Sequence, residues 1–202
     1  MNAGGGGRIM SGMEDDAKRH LSGRLLIAMP GMGDPRFERT VIYLCSHSDE
    51  GAMGLVVNRR AQGVTFRELM KQLDLKIAPE AQPGAIHYGG PVEMGRGFVL
   101  HSDDFHVEDA TMRVDAGVSL TATLDILRAM GEGHGPRRAL IALGYSGWAA
   151  HQLEAELRDN GWLTCDADED ILFSDDDAGK WARALAKIGV SPASLSATGG
   201  SA

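Results

Sequence analysis

Thr40-Val41-Ile42-Tyr43-Leu44-Cys45-Ser46 and, after a polar turn through Ser48 to Gly51, Ala52-Met53-Gly54-Leu55-Val56-Val57-Asn58 are the stretches on which the fold turns. The first is rich in β-branched and aromatic residues, the composition of a strand. The second reads as its hairpin partner. Upstream, Arg24 to Met29 is another short apolar run, ended by Pro30, which has no N–H to offer a ladder. Downstream, Thr65 and Glu68 spell a T-x-x-E capping box, with Val64 and Leu69 placed as a hydrophobic staple. Phe66, Leu69, Met70 and Leu73 then form an apolar stripe at helical spacing.

Further strands are expected at Ala85 to Tyr88 and Gly97 to His101, around a Gly89-Gly90-Pro91 turn, and at Ala139 to Leu143. Thr121 or Thr123 can cap a helix through Met130, with Gly131 in the left-handed position after it. Ser146 can cap a helix from about Trp148 to Asn160, ended by Gly161. A last helix is expected from Asp177 through Trp181, Leu185 and Ile188 to Gly189, with Asp175 to Asp177 at its positive end. Strands come in a block and helices enter late and irregularly. That pattern predicts an α+β fold with a mixed sheet rather than alternating βαβ winding. One domain is expected over residues 22–190, between a disordered tail over 1–21, which holds the Gly4 to Gly7 run, and a short Ser/Gly/Ala-rich tail over 191–202.

With 202 residues, 43% hydrophobic and 24% charged, the composition excludes a mostly disordered chain, a collagen-like repeat and a membrane bundle. The start lacks the apolar core of a signal peptide, and Leu25 to Met29 falls far short of the ~20 residues of a membrane span. A cytoplasmic protein with no membrane partner is expected. The net charge of −8 is concentrated: Asp166, Asp168, Glu169, Asp170, Asp175, Asp176 and Asp177 lie together with no base among them, and the remaining acids nearly balance the 20 bases. Such a chain is a poor general binder of nucleic acid, which needs clustered Lys and Arg.

Each chemical motif has a plainer competitor. Gly144-Tyr145-Ser146-Gly147-Trp148 approaches a nucleophile elbow, but Trp148 occupies the second glycine position, so helix capping by Ser146 is the preferred reading. The acidic segment resembles a calcium loop with Asp166, Asp168 and Asp170 at positions one, three and five. Ile171 stands where that loop needs glycine, and Ile171-Leu172-Phe173 reads as a buried strand, which leaves a solvated acidic edge. His101 and His106 flank Asp103 and Asp104, a possible ligand cluster, yet no metal-binding spacing appears. Cys45 and His47, two apart on a strand, would share one face, close enough to activate the thiol. Otherwise Cys45 and Cys165 read as buried, unpaired residues. Gly31-Met32-Gly33-Asp34-Pro35 lacks the features of a phosphate loop and reads as a turn. Arg59, Arg60, Arg67 and Lys71 make a small basic group whose plain reading is a solvated helix face.

Several phrases recur in a familiar order: Leu25 to Pro30, Asp34-Pro35-Arg36-Phe37, Val41 to Cys45, Gly51 to Asn58, Tyr88 to Val92, Arg96 to Ser102, Leu120 to Thr123, Gly144 to Trp148, Gln152-Leu153-Glu154 and Asn160 to Leu163. Over residues 22–198 the chain resembles the bacterial AlgH/YqgE family. The resemblance implies a mixed, partly barrel-like sheet flanked by helices. It also implies a label as a transcriptional regulator of alginate production, and it brings no established catalytic residues or cofactor. Against the family pattern, Arg60 stands where proline is common, His151 where glycine is common, and Ser201-Ala202 where His-Ala is frequent.

The expected function is therefore a non-catalytic binding or regulatory protein without metal or cofactor, its partner a small ligand or another protein. Its site is expected where Gly89, Gly90, Pro91, Arg96 and His101 meet Tyr145 and Trp148, because glycine- and aromatic-bearing loops suit close approach of a ligand. An enzyme using Cys45 with His47, or His101 with Asp103, is the second reading. Direct DNA binding through the Arg59 group is the third.

Overall fold

A computed structural model describes residues 20–81 and 84–196. The Gly4 to Gly7 run and Ser201-Ala202, read as parts of the tails, lie outside the described residues. Among the described residues nine strands form one sheet: β1 (Arg24–Ala28), β2 (Val41–Ser48), β3 (Gly51–Val56), β4 (Ile86–Tyr88), β5 (Val92–Ser102), β6 (Thr111–Arg113), β7 (Val118–Thr121), β8 (Ala139–Ala149) and β9 (Trp162–Asp166). Their order is β6-β7-β5-β8-β3-β2-β1-β9, and β4 pairs with β8 off this path. The β4–β8 pair is parallel and every other pair antiparallel, so the sheet is mixed. Six α-helices accompany it among the described residues: α1 (Phe66–Gln72), α2 (Leu124–Gly131), α3 (Gln152–Arg158), α4 (Glu169–Leu172), α5 (Asp177–Lys187) and α6 (Pro192–Ser196). The fold is α+β, its sheet curled into a half-barrel.

Strand alternation explains the curl. Leu25, Ile27, Val41, Tyr43, Phe98, Leu100, Leu140 and Ala142 face one continuous core, although they come from strands far apart in the sheet. Helices α4 and α5 close this side with Ile171, Leu172, Trp181, Ala184 and Leu185. The alternate residues face two separate outer clusters. Leu26, Ile42, Leu44 and Trp148 meet Leu153 of α3, whereas Val99 and Ile141 meet Phe66 and Met70 of α1 and Ile126 of α2. One inner core and two outer ones are what a curled sheet covered on both faces requires.

Local punctuation is as read at α1, where Thr65 Oγ1 accepts from the Glu68 N–H and the Glu68 carboxylate accepts from the Thr65 N–H. Asp176 caps α5 by accepting from the Gly179 N–H at 3.1 Å. Four expectations are corrected. Ser146 caps no helix: β8 runs on to Ala149, and α3 begins at Gln152 behind a left-handed His151 (φ +61°). Ile171-Leu172-Phe173 is no strand, because Asp168 accepts from the Ile171 N–H at 2.7 Å and starts the short helix α4. Gly131 stays helical, and the left-handed residue is Gly133. Thr123 begins α2 without a side-chain cap, while Thr121 stays in β7. At the chain ends, Leu21 packs on the cluster beneath Trp148, and α6 falls within the stretch read as a tail. Among the described residues no helix is long and apolar enough to cross a membrane.

Candidate functional site

The site begins with two glycines. Gly89 donates its N–H to Leu143 O and accepts from the Val56 N–H, each at 2.8 Å, so it bridges β8 and β3. Gly90 (φ +155°) and Gly144 (φ +73°) then pass so closely that a Cβ on Gly144 would sit 2.5 Å from Gly90 O. Only glycine fits both the backbone angle and the spacing. This contact sets Pro91 and Val92 beside Tyr145, with Val92 opposite Tyr145 in register. Ser146 is buried in the same strand and donates to Gly89 O at 3.4 Å, not to a base.

Beyond Tyr145, Trp148 stands between two hollows. One, of about 800 Å³, is walled by the loop from Pro30 to Phe37 on one side and by Pro91, Trp148 and Trp162 on the other. Phe37 packs edge-on to Trp162 at 5.6 Å, and Trp162 edge-on to Trp148 at 6.0 Å. A single carboxylate holds this wall: Glu156 Oε2 accepts from Trp148 Nε1 at 2.9 Å and from Trp162 Nε1 at 2.8 Å. Gln152 braces Glu156 by donating to Oε1 at 2.9 Å, and its own Oε1 accepts from the Ala149 N–H. The second hollow, about 600 Å³ and more open, is bordered by Arg96, Tyr145 and Trp148. Arg96 lies over the Phe98 ring at 5.1 Å and pairs with Glu93 at 3.3 Å.

Six of the seven residues expected at the site, Gly89, Gly90, Pro91, Arg96, Tyr145 and Trp148, are thus brought together. His101 is not. It lies opposite Ala139, at the far end of β8, and is fully buried. Its Nδ1 bonds Ser102 O at 2.8 Å and its Nε2 bonds Thr121 Oγ1 at 2.9 Å, which in turn meets Thr111 Oγ1. Burial lowers its pKa and keeps the ring neutral. The expected partners are engaged elsewhere: Asp103 with Arg113, and Asp104 with Ser102 and Arg137.

The Cys45–His47 pair is also corrected. A β-bulge between Leu44 and Ser46 leaves Cys45 unpaired and shifts the register, so Cys45 faces the inner core while His47 turns outward opposite Ala52. His47 Nε2 bonds Glu154 at 2.9 Å, and its Nδ1 accepts from the Leu21 N–H at 3.1 Å. Burial pushes the Cys45 thiol up to about 12, away from the thiolate. Both cysteines are buried and unbonded to each other. Among the described residues no group of three or more His, Cys, Asp or Glu is placed to hold a metal ion.

Glu156, Trp162 and Phe37 are the residues that sequence reading missed. Gln152 and Glu156 stand one helical turn apart, which was the available signal; their meeting with Trp148 and Trp162 depends on β8, α3 and β9 packing together. The acidic stretch differs from a plain solvated edge at one point. Asp177 is largely buried, and it bonds His87 Nε2 at 3.0 Å, Arg60 Nε at 2.7 Å and the fully buried Lys180 Nζ at 3.1 Å.

The comparisons with known proteins agree with this architecture. A family model described as AlgH-like (DUF179) matches residues 25–193. A UPF0301 protein of Bradyrhizobium diazoefficiens is 56% identical over 91% of this chain and 89% of its own length. One from Caulobacter vibrioides is 54% identical over 94% and 98% respectively. The solution structure of the AlgH protein from Pseudomonas aeruginosa superposes with a TM-score of 0.74 at 43% identity, covering 91% of this chain and 96% of that one. A crystal structure of a Corynebacterium diphtheriae protein, at 19% identity and TM-score 0.65, shares the fold. The chain therefore belongs to the AlgH-like family.

Proposed function

We propose that this is a non-catalytic binding protein with a regulatory role, whose ligand enters the cleft at Trp148. The observation that carries this reading is the Glu156 anchor. One carboxylate fixes two indole rings, 7% and 2% exposed, so the wall and floor of the cleft are built before any ligand arrives and little ordering is left to be done on binding. The volume of about 800 Å³ suits a small molecule, and Trp, Phe and Pro walls with a few fixed polar groups are usual in such sites. Pro91 shares the wall of this cleft, Arg96 and Tyr145 border the hollow on the other side of Trp148, and Gly89 and Gly90 set the backbone behind them. The enzyme reading has less support, because the Cys45–His47 pair is split by the bulge and His101 is spent on internal hydrogen bonds. Direct DNA reading has less support still, since Arg59 and Arg60 lie among acids. Two unpaired buried thiols favour work in the cytoplasm.

The test is a thermal-shift and tryptophan-fluorescence screen of metabolites and short peptides against wild type, Trp148→Phe and Glu156→Gln. A ligand at 100 times its Kd adds about 2.7 kcal/mol, and each kcal/mol moves Tm by roughly 2–4 °C in a domain of this size. A genuine cleft ligand loses much of that shift in both variants. A ligand whose affinity neither variant changes places the binding site elsewhere. Turnover abolished by Trp148→Phe would make the cleft catalytic.

A further inference from the structure

One cavity of this acidic chain has arginines as its only charged walls. It is a hollow of about 820 Å³, bordered by Arg36, Arg59 and Arg60 together with Tyr88, Val64 and Met94. The sequence groups Arg59 with Arg60, Arg67 and Lys71. The fold instead leaves Arg67 and Lys71 on the exposed side of α1 and brings in Arg36 from the loop before β2.

One of these charges is not cancelled. Arg59 donates to two neutral carbonyls, Arg36 O at 2.6 Å and Glu38 O at 2.9 Å, so its guanidinium is held in place while its charge stays uncompensated. Among the described residues it has no ion-pair partner, and Glu38 borders the adjoining hollow instead. Arg60 pairs with Asp177, but that carboxylate is shared with Lys180. Arg36 pairs with Asp34 and lies within electrostatic reach of the Tyr88 hydroxyl. The hollow thus carries three guanidiniums, of which Arg36 and Arg60 are each paired with a carboxylate and Arg59 is not. Across the same hollow, Met94 leaves an uncovered apolar surface, 60% exposed.

We propose that this hollow is a second ligand site, which takes a small phosphomonoester with an aromatic or apolar body. The uncompensated Arg59 charge between two further guanidiniums attracts a phosphate, and guanidinium forks match its oxygens. Tyr88, Val64 and Met94 receive the body. Asp34 and Asp177 hold Arg36 and Arg60, and Glu38 borders the adjoining hollow, so an extended polyanion such as duplex DNA meets carboxylates on leaving the site. The site goes beyond the Trp148 cleft, with which it shares only Arg36.

The test is calorimetric titration of the full chain with phenyl phosphate, with inorganic phosphate and phenol as separate arms. Phenyl phosphate should bind, more weakly as salt rises. Arg60→Gln and the exposed Arg36→Gln should each lose roughly tenfold or more, as expected for removing a charge-assisted hydrogen bond. Trp148→Phe should leave the affinity unchanged, which keeps this site distinguishable from the cleft. Inorganic phosphate should bind more weakly than phenyl phosphate, and phenol least. With methyl-labelled methionine, the Met94 signal should move and that of exposed Met112 stay. The proposal is overturned if both arginine variants bind like wild type, if phenol binds as tightly as phenyl phosphate, if Met94 is unmoved at millimolar phenyl phosphate, or if duplex DNA at equal phosphate concentration binds better.

Discussion

Replacing Asp177 by asparagine keeps the shape of a buried junction and removes the carboxylate charge that its cations share. The side chain is 12% exposed and faces Lys180, Arg60 and His87. Lys180 Nζ, fully buried, spends its protons on Val57 O at 2.7 Å, Leu172 O at 3.1 Å and Asp177. Burial by itself raises a carboxyl pKa. Hydrogen bonds from His87, Arg60 and Lys180 outweigh it here and hold Asp177 well below the ordinary carboxylate range. Breaking a buried pair by removing one partner costs roughly 3–5 kcal/mol, because the other charge is left uncompensated. The two carbonyls that Lys180 keeps place the expected loss near the lower end, about 3 kcal/mol. That corresponds to a fall in Tm of roughly 6–12 °C. A carboxylate whose pKa is depressed on folding contributes stability above its unfolded value of about 3.9, and loses it as pH falls through the folded value. The gap between wild type and Asp177→Asn should therefore be full at pH 7 and narrow below about pH 4. Urea unfolding at pH 7 and pH 3 measures both effects. Asp177→Asn with Lys180→Met should regain most of the loss, since no unpaired ammonium is left buried. A single-variant loss under about 1 kcal/mol, or an equal loss at both pH values, would refute this account of the junction.

Three further outcomes can be checked. Neither Cys45 nor Cys165, both buried and with thiol pKa raised by that burial, should react promptly with a thiol reagent at pH 8, and both should react after denaturation; immediate labelling of the folded protein would contradict their placement. Thr65→Ala removes the acceptor for the Glu68 N–H and should cost about 1 kcal/mol in thermal unfolding, with Thr65→Ser nearly neutral. His151→Gly relieves a left-handed residue that makes no capping bond and should raise stability by about 0.5–1 kcal/mol; a destabilised variant would show that the imidazole has a role the backbone angle does not reveal.

The common residue at position 151 makes the same point from the sequence side. The family resemblance implies glycine there, and the φ of +61° supplies a physical reason for it. By contrast, reading Ser146 as a helix cap failed because strand and cap are both locally acceptable after Gly144. The choice fell to β3 and to the Gly89–Gly90 backbone, which together claim residues 144–149 for the sheet. Cys45 and His47 failed for a related reason, since a bulge is a property of two paired strands and one strand's alternation cannot announce it.

What the chain determined by itself lies within a few residues of itself: the capping box at Thr65, the start of α5 near Asp177, the apolar and β-branched runs of β1 and β2, and the family phrases that mark the glycine contacts. These depend on backbone geometry over one turn or one pleat. Tertiary structure alone decided the meeting of Trp148 and Trp162 on Glu156, the bond between Arg60 and Asp177 across 117 residues, and that between His47 and Glu154 across 107. A buried indole N–H, ammonium or imidazole must find a partner at whatever separation along the chain the packing offers, because leaving it bare costs more than any local preference supplies.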